Sequence, residues 1–497
     1  MLRNKFPIGR TIGIGVVGLA AMAGLLLWLA ITLSDPSSPG AKEAELFGAW
    51  QVLYDDYVPP TRVLVAAVLV ALAFAAIAAT VERVVTNRYR RSIDAEGLPL
   101  APKIVMAETR GVFHGPVTIT VLIPAHNEAE RISATITGLQ EQHDAPERII
   151  VVADNCTDET PDLARAAGVE VFETRGNRHK KAGGLNQALK EVLPQQGEND
   201  VVMVVDADTV LDQGFLREAR RRFADDRALM AVGGLFYGEP GAGWLGQYQR
   251  NEYTRYSRDI HRRRGRVFVL TGTASAFRPR GLRAIAESRG TRIPGRPGDV
   301  YDTAALTEDN ELTLALKSLG GLMVSPNECS VVTEVMPTWK QLWHQRLRWQ
   351  RGALENLGAY GLTPQTTRYW FQQLGIGYGA IALGAYFVLI LITILALDEW
   401  IWYPFWMLLG LLFMIERVVT VWRSTLFAKF VAALLLPELV FATFLNVVFL
   451  KGVLDILLAR QAQWGQSDID PDAIAEESQA TEIQVTERQA RGEEEKP

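Results

Sequence analysis

The chain has 497 residues, of which 48% are hydrophobic and 22% charged, and its formal net charge is -5. That length exceeds one typical domain, and the negative charge, with no recognisable nucleic-acid motif in the sequence, argues against a nucleic-acid partner. The two cysteines, Cys156 and Cys329, have no metal-binding spacing, so we expect a reduced, cytoplasmic setting for the segment that carries them.

Two apolar runs near the N-terminus predict transmembrane helices. The first, 11–33, follows a basic segment at 1–10 and is too long for the apolar core of a cleaved signal peptide. The second, 63–82, precedes a basic linker at 83–114. The positive-inside rule therefore places both basic segments in the cytoplasm and the acidic loop between the runs, 34–62, outside.

Short apolar runs alternate with amphipathic stretches from residue 115, and we assign 115–335 to one catalytic domain. The pattern predicts strands at Val117–Ile123, Arg148–Ala153, Val169–Glu173 and Val201–Val205, and helices at Glu128–Gln142, Glu159–Ala167 and Lys181–Leu193. Alternation of this kind predicts an α/β fold with a mainly parallel sheet and right-handed crossovers.

The C-terminal third returns to apolar runs. Interface helices are expected at 336–372 and about three membrane segments at 373–458, with apolar runs at Leu374–Leu397, Trp400–Ile415 and Phe430–Leu450. Five full spans would put the C-terminus outside, whereas a re-entrant or broken third segment would return it to the cytoplasm. Glu438, in the third run, is either a functional group at membrane depth or an interfacial residue with its charge in water. The acidic tail, 459–497, is predicted to be disordered.

Polar residues follow several predicted strands. Asp206 and Asp208 end the strand at 201–205 and, at positions i and i+2, lie on the same side of an extended chain. Carboxylates at the carboxyl end of a buried strand lie where open α/β sheets bind ligands, and they suit Mg²⁺ or Mn²⁺. Asp154 ends a second strand, and the cations and glycines of 175–189 precede a helix, a setting that suits phosphate. Each motif alone is equally compatible with a solvated turn or cap.

Together, the motifs resemble the family-2 inverting glycosyltransferases, specifically the membrane-embedded processive synthases of cellulose, hyaluronan, chitin and poly-N-acetylglucosamine. In family order they are P-A-H-N-E, Asp154, K-A-G-G-L-N from Lys181, D-A-D at 206–208, T-G-T-A-S-A-F-R from Thr271, T-E-D ending at Asp309, and Q-R-L-R-W at 345–349. The resemblance covers residues 115–360 and implies a glycosyltransferase A-type fold flanked by transmembrane helices.

The resemblance also implies residue roles. The general base would be Asp309, with Glu308 beside it, and the metal would be held by Asp208 and Asp206. The nucleotide and its diphosphate would be contacted by Ala125, Glu128, Asp154, Lys181, Asp206, Gln345, Arg348 and Trp349. The acceptor would be contacted by Thr273, Ser275 and Trp349.

These expectations lead to one functional hypothesis. The chain would be a multi-pass protein of the cell membrane whose cytoplasmic domain, using Mg²⁺ or Mn²⁺, transfers hexosyl units from UDP-N-acetylglucosamine or UDP-glucose to a polysaccharide and extrudes it. Partners would be the donor, a glycan or lipid-linked acceptor, membrane lipids and export subunits. One alternative is transfer of a single sugar to a polyprenyl phosphate or other lipid. The other is an inactive sugar-nucleotide fold that serves as a membrane scaffold or transport component.

Overall fold

The computed structural model describes residues 40–70, 115–262, 267–396 and 400–460, together with scattered helical residues between 17 and 32 and between 72 and 80. The basic segments predicted at 1–10 and 83–114 lie outside the described residues. So do much of the predicted spans at 11–33 and 63–82 and nearly all of the predicted tail.

Strands and helices alternate through the predicted catalytic domain, whereas the described elements after β12 are all helices. The strands are β1 (Lys42–Leu46), β2 (Trp50–Tyr54), β3 (Thr118–Ala125), β4 (Arg148–Ala153), β5 (Glu170–Glu173), β6 (Asp200–Val205), β7 (Val210–Leu211), β8 (Leu229–Gly233), β9 (Leu235–Gly238), β10 (Ala274–Phe277), β11 (Leu322–Val324) and β12 (Ser330–Thr333). The helices are α1 (Thr61–Val70), α2 (Ile132–Gln140), α3 (Thr160–Ala166), α4 (Lys180–Val192), α5 (Phe215–Asp225), α6 (Gly243–Arg262), α7 (Pro279–Ser288), α8 (Glu308–Ser318), α9 (Trp339–Tyr360), α10 (Thr367–Ala396), α11 (Pro404–Thr420), α12 (Leu426–Ala433) and α13 (Leu435–Leu457).

A seven-stranded sheet in the order β11-β8-β10-β6-β3-β4-β5 forms the centre of the domain. Its pairs are parallel except those of β10, which runs antiparallel between β6 and β8. A second sheet of three strands has the order β7-β12-β9. The α/β class and the mainly parallel sheet predicted from the sequence are therefore confirmed.

Both faces of the central sheet are buried, which explains its continuous apolar runs. In β6, Val202 and Val204 point into one hydrophobic cluster, whereas Val201, Met203 and Val205 point into the other. Strands covered by helices on both sides lose the alternation of polar and apolar residues that a half-exposed strand shows. The carboxyl ends of β3, β4 and β6 consequently meet at one edge of a rigid layer.

Two described helices, Thr367–Leu395 within α10 and Leu435–Leu457, are long and apolar enough to cross a membrane by length and composition. The helix that follows α10, α11, has 17 residues and begins at Pro404, later than the predicted run at Trp400–Ile415. The run predicted at Leu374–Leu397 lies within α10 up to Ala396, but α10 begins earlier, at Thr367, and residue 397 lies outside the described residues.

The run predicted at Phe430–Leu450 is not one helix. It is divided at Leu434, whose extended backbone ends α12 and begins α13. A continuous helix would place the ring of Pro437 against the carbonyl of Ala433, whereas proline is tolerated in the first turn of a new helix. Glu438 then lies in the first turn of α13, where it pairs with Arg255 at 2.8 Å and Arg417 at 3.6 Å.

The predicted external loop 34–62 contains the hairpin formed by β1 and β2, which lies beside the chain segment that precedes α11. The backbone N–H of Asp55 donates to the carbonyl of Trp402 at 2.9 Å, and the N–H of Trp402 donates to the carbonyl of Leu53 at 3.0 Å. Backbone hydrogen bonds therefore join the hairpin to the residues directly before α11.

Candidate active site

The ends of three parallel strands bring the first motifs together. The backbone N–H of Asp154, after β4, donates to the carbonyl of Ala125 at the end of β3 at 2.9 Å. Likewise, the N–H of Asp206, after β6, donates to the carbonyl of Thr273 at 2.9 Å. The sequence pattern predicts these residues at strand ends, and the sheet order makes them neighbours.

Asp154 organises the loop that precedes α4. Its side chain accepts hydrogen bonds from the hydroxyl of Thr174 at 2.8 Å and the amide of Asn177 at 2.7 Å, and the residue is buried. A Cβ on Gly183 would lie 2.0 Å from Oδ1 of Asn177, so the first glycine of K-A-G-G-L-N is needed for this close approach. The motif therefore fixes the N-terminus of α4 against the sheet.

Lys181 lies at the centre of the polar residues. Its ammonium donates to Oδ1 of Asp206 at 2.6 Å and pairs with Oε1 of Glu308 at 3.2 Å, so it links α4, β6 and α8. Burial opposes its charge, but the two carboxylates outweigh burial and raise the pKa of Lys181. Burial likewise opposes ionisation of Glu308, and the Lys181 ammonium reverses that effect and lowers the pKa of Glu308.

Asp309 begins α8 beside Glu308 but has different partners. Its Oδ2 accepts from the backbone N–H of Gly272 at 3.1 Å, and its Oδ1 accepts from the N–H of Asn310 at 2.7 Å. Burial and the neighbouring negative charge of Glu308 raise the pKa of Asp309 to about 6. A carboxylate that titrates close to neutral pH has the acidity that general-base catalysis requires.

Helix α8 is anchored well behind its first turn. Glu311 accepts hydrogen bonds from the guanidinium of Arg289 at 2.7 Å and from the hydroxyl of Tyr360 at 2.6 Å. Arg289, at the end of α7, is fully buried and also donates to the carbonyls of three loop residues: Pro294, Asp299 and Val300. This network holds the helix that carries Asp309 between α7 and the end of α9.

Acidic side chains accumulate around Asp208. Burial raises its pKa, and Glu334 adds to that effect. The pKa of Glu128 is also raised, by burial and by the charge of Asp208. Glu334, which pairs with Arg131 at 3.2 Å, follows β12 and was not among the residues predicted for the site. In the part of the chain that the structure describes, no group of three or more His, Cys, Asp or Glu side chains could by itself hold a metal ion.

The Q-R-L-R-W segment lies on α9, next to the first turn of α8. The side-chain amide of Asn356 donates to the carbonyl of Thr307 at 3.1 Å and to Oδ1 of Asn310 at 3.0 Å. The positive charge of Arg348 adds to the lowering of the pKa of Glu308 and partly opposes the rise in the pKa of Asp309, so its guanidinium lies near both carboxyl groups. The structure thus brings the T-E-D and Q-R-L-R-W motifs to the same site.

Oε1 of Gln345 and the predicted acceptor residue Ser275 are buried, whereas Thr273 and Trp349 are half-buried. Oε1 of Gln345 is buried and has no hydrogen-bond partner among the described residues. Ser275 is 3% exposed, and its hydroxyl donates to the carbonyl of Thr271 at 2.8 Å, so it supports the loop instead of presenting a surface. The hydroxyl of Thr273 is within 2.7 Å of that of Thr271.

The side chain of Asp309 forms part of the lining of a small cavity. Its polar lining includes Lys181, Thr271, Ser275, Tyr301 and Glu308. Tyr301 is buried, and burial raises its pKa, so the phenol is protonated at neutral pH. No sequence signal indicates this tyrosine, because it lies in a loop without secondary structure or motif.

Residues 116–352 match the sequence profile described as "Glycosyltransferase like family 2". The chain carries a family-2 glycosyltransferase domain. The poly-beta-1,6-N-acetyl-D-glucosamine synthase of Staphylococcus aureus (strain COL) is 28% identical over 250 residues, or 48% of this chain and 55% of that protein. The probable glycosyltransferase YdaM of Bacillus subtilis is 28% identical over 259 residues, or 47% of this chain and 54% of that protein. The glycosyltransferase match therefore spans about half the length of these relatives.

Two solved structures are also similar to the glycosyltransferase chain. A mannosyltransferase from Pyrobaculum calidifontis, solved with GDP-Man and Mn²⁺, is 17% identical with a TM-score of 0.46, covering 79% of this chain and 99% of that one. The glucosyl-3-phosphoglycerate synthase of Mycobacterium tuberculosis, solved with Mn²⁺ and UDP, is 18% identical with a TM-score of 0.34, covering 50% of this chain and 80% of that one.

Proposed function

We propose that the chain is a membrane-integrated, inverting β-glycosyltransferase that transfers hexosyl units from a nucleotide-diphosphate sugar to a growing polysaccharide and passes the product across the membrane. The observation that carries the proposal is the position of Asp309. Its carboxylate has a pKa of about 6, its neighbour Glu308 pairs with Lys181, and the start of its helix is hydrogen-bonded to α9, the helix that bears Arg348. A base, a cation that binds phosphate and an acidic pair at a strand end are the groups that this reaction requires.

In the proposed reaction, the donor diphosphate lies between Lys181 and Arg348. The carboxylate of Asp309 takes the proton of an acceptor hydroxyl while the hydroxyl oxygen attacks the anomeric carbon. The bond from that carbon to the diphosphate oxygen breaks on the opposite face, so the configuration is inverted and a nucleoside diphosphate leaves. The two cations stabilise the charge that develops on the leaving group.

A divalent cation fits the acidic edge of this site. Asp206 and Asp208 follow the same strand. Burial raises the pKa values of Asp208 and Glu128, and neighbouring carboxylates raise them further, an effect that Arg131 only partly offsets. Mg²⁺ is commonly held by one or two carboxylates together with substrate phosphates, which agrees with the absence of a larger ligand cluster among the described residues. Mg²⁺ or Mn²⁺ held by Asp206 and Asp208 would neutralise charge on the diphosphate.

The relatives indicate which donor to test first. Because the Staphylococcus aureus relative is named for a polymer of N-acetyl-D-glucosamine, UDP-N-acetylglucosamine is the first candidate, followed by UDP-glucose. The two long apolar helices support integration in a membrane. We place the glycosyltransferase domain on the cytoplasmic side of the cell membrane, in line with the basic segments at 1–10 and 83–114. The acceptor is then a membrane-associated glycan, and export subunits are further candidate partners.

The test uses the full chain in nanodiscs with Mg²⁺ or Mn²⁺ and radiolabelled UDP-N-acetylglucosamine, UDP-glucose, UDP-glucuronate or GDP-mannose. We expect a high-molecular-weight product from one donor. EDTA should abolish formation of this product, and the Asp309→Asn variant should not form it. Asp162→Asn, on the exposed surface of α3, is the matched control and should retain full activity. A product containing a single sugar on lipid would replace polymerisation with lipid transfer. No product from any donor would contradict the proposal.

A further inference from the structure

Arg346 has no part in the reaction proposed above, yet it is one of the most deeply buried cations near the site. It occupies the second position of Q-R-L-R-W, and its side chain is 5% exposed. Removing a guanidinium from water is costly unless other groups compensate it. Its Nη2 donates to Oε2 of Glu252, on α6, at 2.8 Å. Its Nε has no hydrogen-bond partner among the described residues, so hydrogen bonds alone do not compensate its burial.

Arg346 also contacts two aromatic rings. Its guanidinium carbon lies 4.4 Å from the centre of the Trp349 ring and 5.7 Å from that of Tyr253. Arg346 and Trp349 are three positions apart on α9, where side chains share one face of a helix. Both distances are within the range of cation–π attraction, and tryptophan gives the strongest such contact. One face of the indole is therefore occupied by a cation that an ion pair fixes in place.

The partner residues are themselves held rigidly. Tyr253 is buried, and its ring packs edge-on against Phe236 at 4.7 Å. Glu252 and Tyr253 both belong to α6, whose Asn251 donates to the carbonyl of Ala428 in α12 at 3.3 Å. The Trp349 ring thus rests on a layer that extends from the glycosyltransferase domain to the C-terminal helices.

We propose that Arg346, held by Glu252, is a positioning residue for the acceptor. It covers one face of Trp349 and fixes the rotation of the indole, so that an acceptor sugar packs only on the opposite face. The inference rests on the proposed function and on the contact with the acceptor that the family resemblance implies for Trp349. It follows that loss of Arg346 should weaken acceptor binding while leaving donor binding intact.

The experiment measures two affinities of full-length protein in nanodiscs by titration calorimetry. One is for UDP with Mg²⁺. The other is for the tetrasaccharide of β-linked N-acetylglucosamine added to UDP-loaded protein. In Arg346→Met we expect tetrasaccharide affinity to fall roughly tenfold, the size of one desolvated cation–π contact, with UDP affinity unchanged. Arg346→Lys should recover part of the loss because it keeps a cation over the ring.

A second pair of variants separates positioning from general damage. Arg351→Met removes another buried, ion-paired arginine of α9, whose partners are Glu355 and the carbonyl of Arg460, and should leave tetrasaccharide affinity unchanged. In a Trp349→Ala background, Arg346→Met should cause no further loss, because its effect passes through the indole.

Three outcomes would overturn the inference: no tetrasaccharide binding by the wild type, equal losses in Arg346→Met and Arg351→Met, or parallel losses of UDP and tetrasaccharide affinity. Sugar transfer by the wild type together with any of these would sustain the proposed function and reject only the role of Arg346. Conversely, the affinities do not require turnover, so they test Arg346 even where no donor is transferred.

Discussion

The pKa values of the adjacent carboxyl groups of Glu308 and Asp309 are shifted in opposite directions because the surroundings of the two groups differ. The ammonium of Lys181 stabilises ionised Glu308, whereas burial and the negative charge of Glu308 oppose ionisation of Asp309 and outweigh the two backbone N–H groups that donate to it. The pKa of Glu308 is therefore lowered and that of Asp309 is raised to about 6. Where two neighbouring carboxyl groups have pKa values shifted in opposite directions, one commonly acts electrostatically and the other as the acid or base. This favours Asp309 as the base.

The raised pKa of Asp309 predicts how transfer depends on pH. A general base must be ionised, so kcat/KM should be constant above pH 7 and fall about tenfold per pH unit below pH 6, because kcat/KM reports the pKa of the free enzyme. Initial rates at subsaturating donor between pH 5 and 8 measure this profile, with UDP affinity at each pH as the control for binding. A kcat/KM that stays constant down to pH 5 would contradict the assignment.

The raised pKa of Asp309 also affects the free energy of unfolding, because the same side chain has a lower pKa in the unfolded chain. An unfolded aspartate titrates near pH 3.9, below the folded value, so ionised Asp309 destabilises the fold at neutral pH and this cost is relieved as the pH falls. Asp309→Asn should therefore lose transfer without losing thermal stability, which separates a chemical role from a structural one.

At the scale of elements, the strands and the sites at their ends were predictable, because periodicity and strand-end polarity are local. The bounds of β4 match the prediction, whereas α2 begins at Ile132 instead of Glu128. The preceding turn contains Asn127 in a left-handed conformation and a hydrogen bond from the N–H of Glu128 to Thr160, both set by the neighbouring loop. A broken third segment was one of the predicted alternatives, but the position of the break, Leu434, could not be predicted because hydropathy is continuous across it.

Contacts between distant elements could not be predicted from spacing. Ser275 was expected to contact the acceptor, but the antiparallel pairing of β10 with β6 places it opposite Val204 in the sheet interior. Glu334 reaches the site from the segment after β12, the middle strand of the second sheet, and Tyr301 reaches it from an irregular loop; neither segment carries a motif of its own. Positions of this kind depend on tertiary packing, which the sequence pattern does not encode.

The packing of α9 on the start of α8 depends on Gly352. A Cβ at this position would lie 2.6 Å from Oγ1 and 2.8 Å from Cγ2 of Thr307, closer than side chains tolerate. In Gly352→Ala the helix bearing Arg348 must move away from Asp309, and we expect kcat to fall about tenfold to a hundredfold. Steady-state kinetics of purified variants measure the change.

Two variants test whether this loss arises from the contact with Thr307. Adding Thr307→Ala removes both crowded atoms and should restore part of the rate in the double variant. Gly375→Ala, in α10, is the matched control, because no atom lies within 4 Å of its added methyl group. Equal losses in both glycine variants, or no recovery in the double variant, would reject the packing explanation.

At the scale of the whole molecule, the apolar surface of α10 requires an apolar environment. Many of its large hydrophobic residues are exposed, with Leu395 at 77% and Leu389 at 61%. A helix that is apolar on all sides and uncovered by protein is typical of a membrane span. Near the N-terminus of α10, Tyr369 packs on Phe268 of the glycosyltransferase domain, with the ring centres 4.4 Å apart. The 30 residues of α10 extend about 45 Å. Beyond the other end lies Trp402, to which the β1–β2 hairpin is bonded.

This arrangement predicts that the hairpin and the glycosyltransferase domain lie on opposite sides of the membrane. In a Cys156→Ser background, Phe47→Cys at the exposed hairpin tip should react with a membrane-impermeant maleimide in right-side-out vesicles. Asp162→Cys, on exposed α3, should react only in inverted vesicles, and the buried Cys329 should react in neither. Labelling of both introduced cysteines in the same vesicles would mean that α10 does not separate them across a bilayer. Extraction of the protein by carbonate would further exclude a span, since a transmembrane helix stays in the lipid under those conditions.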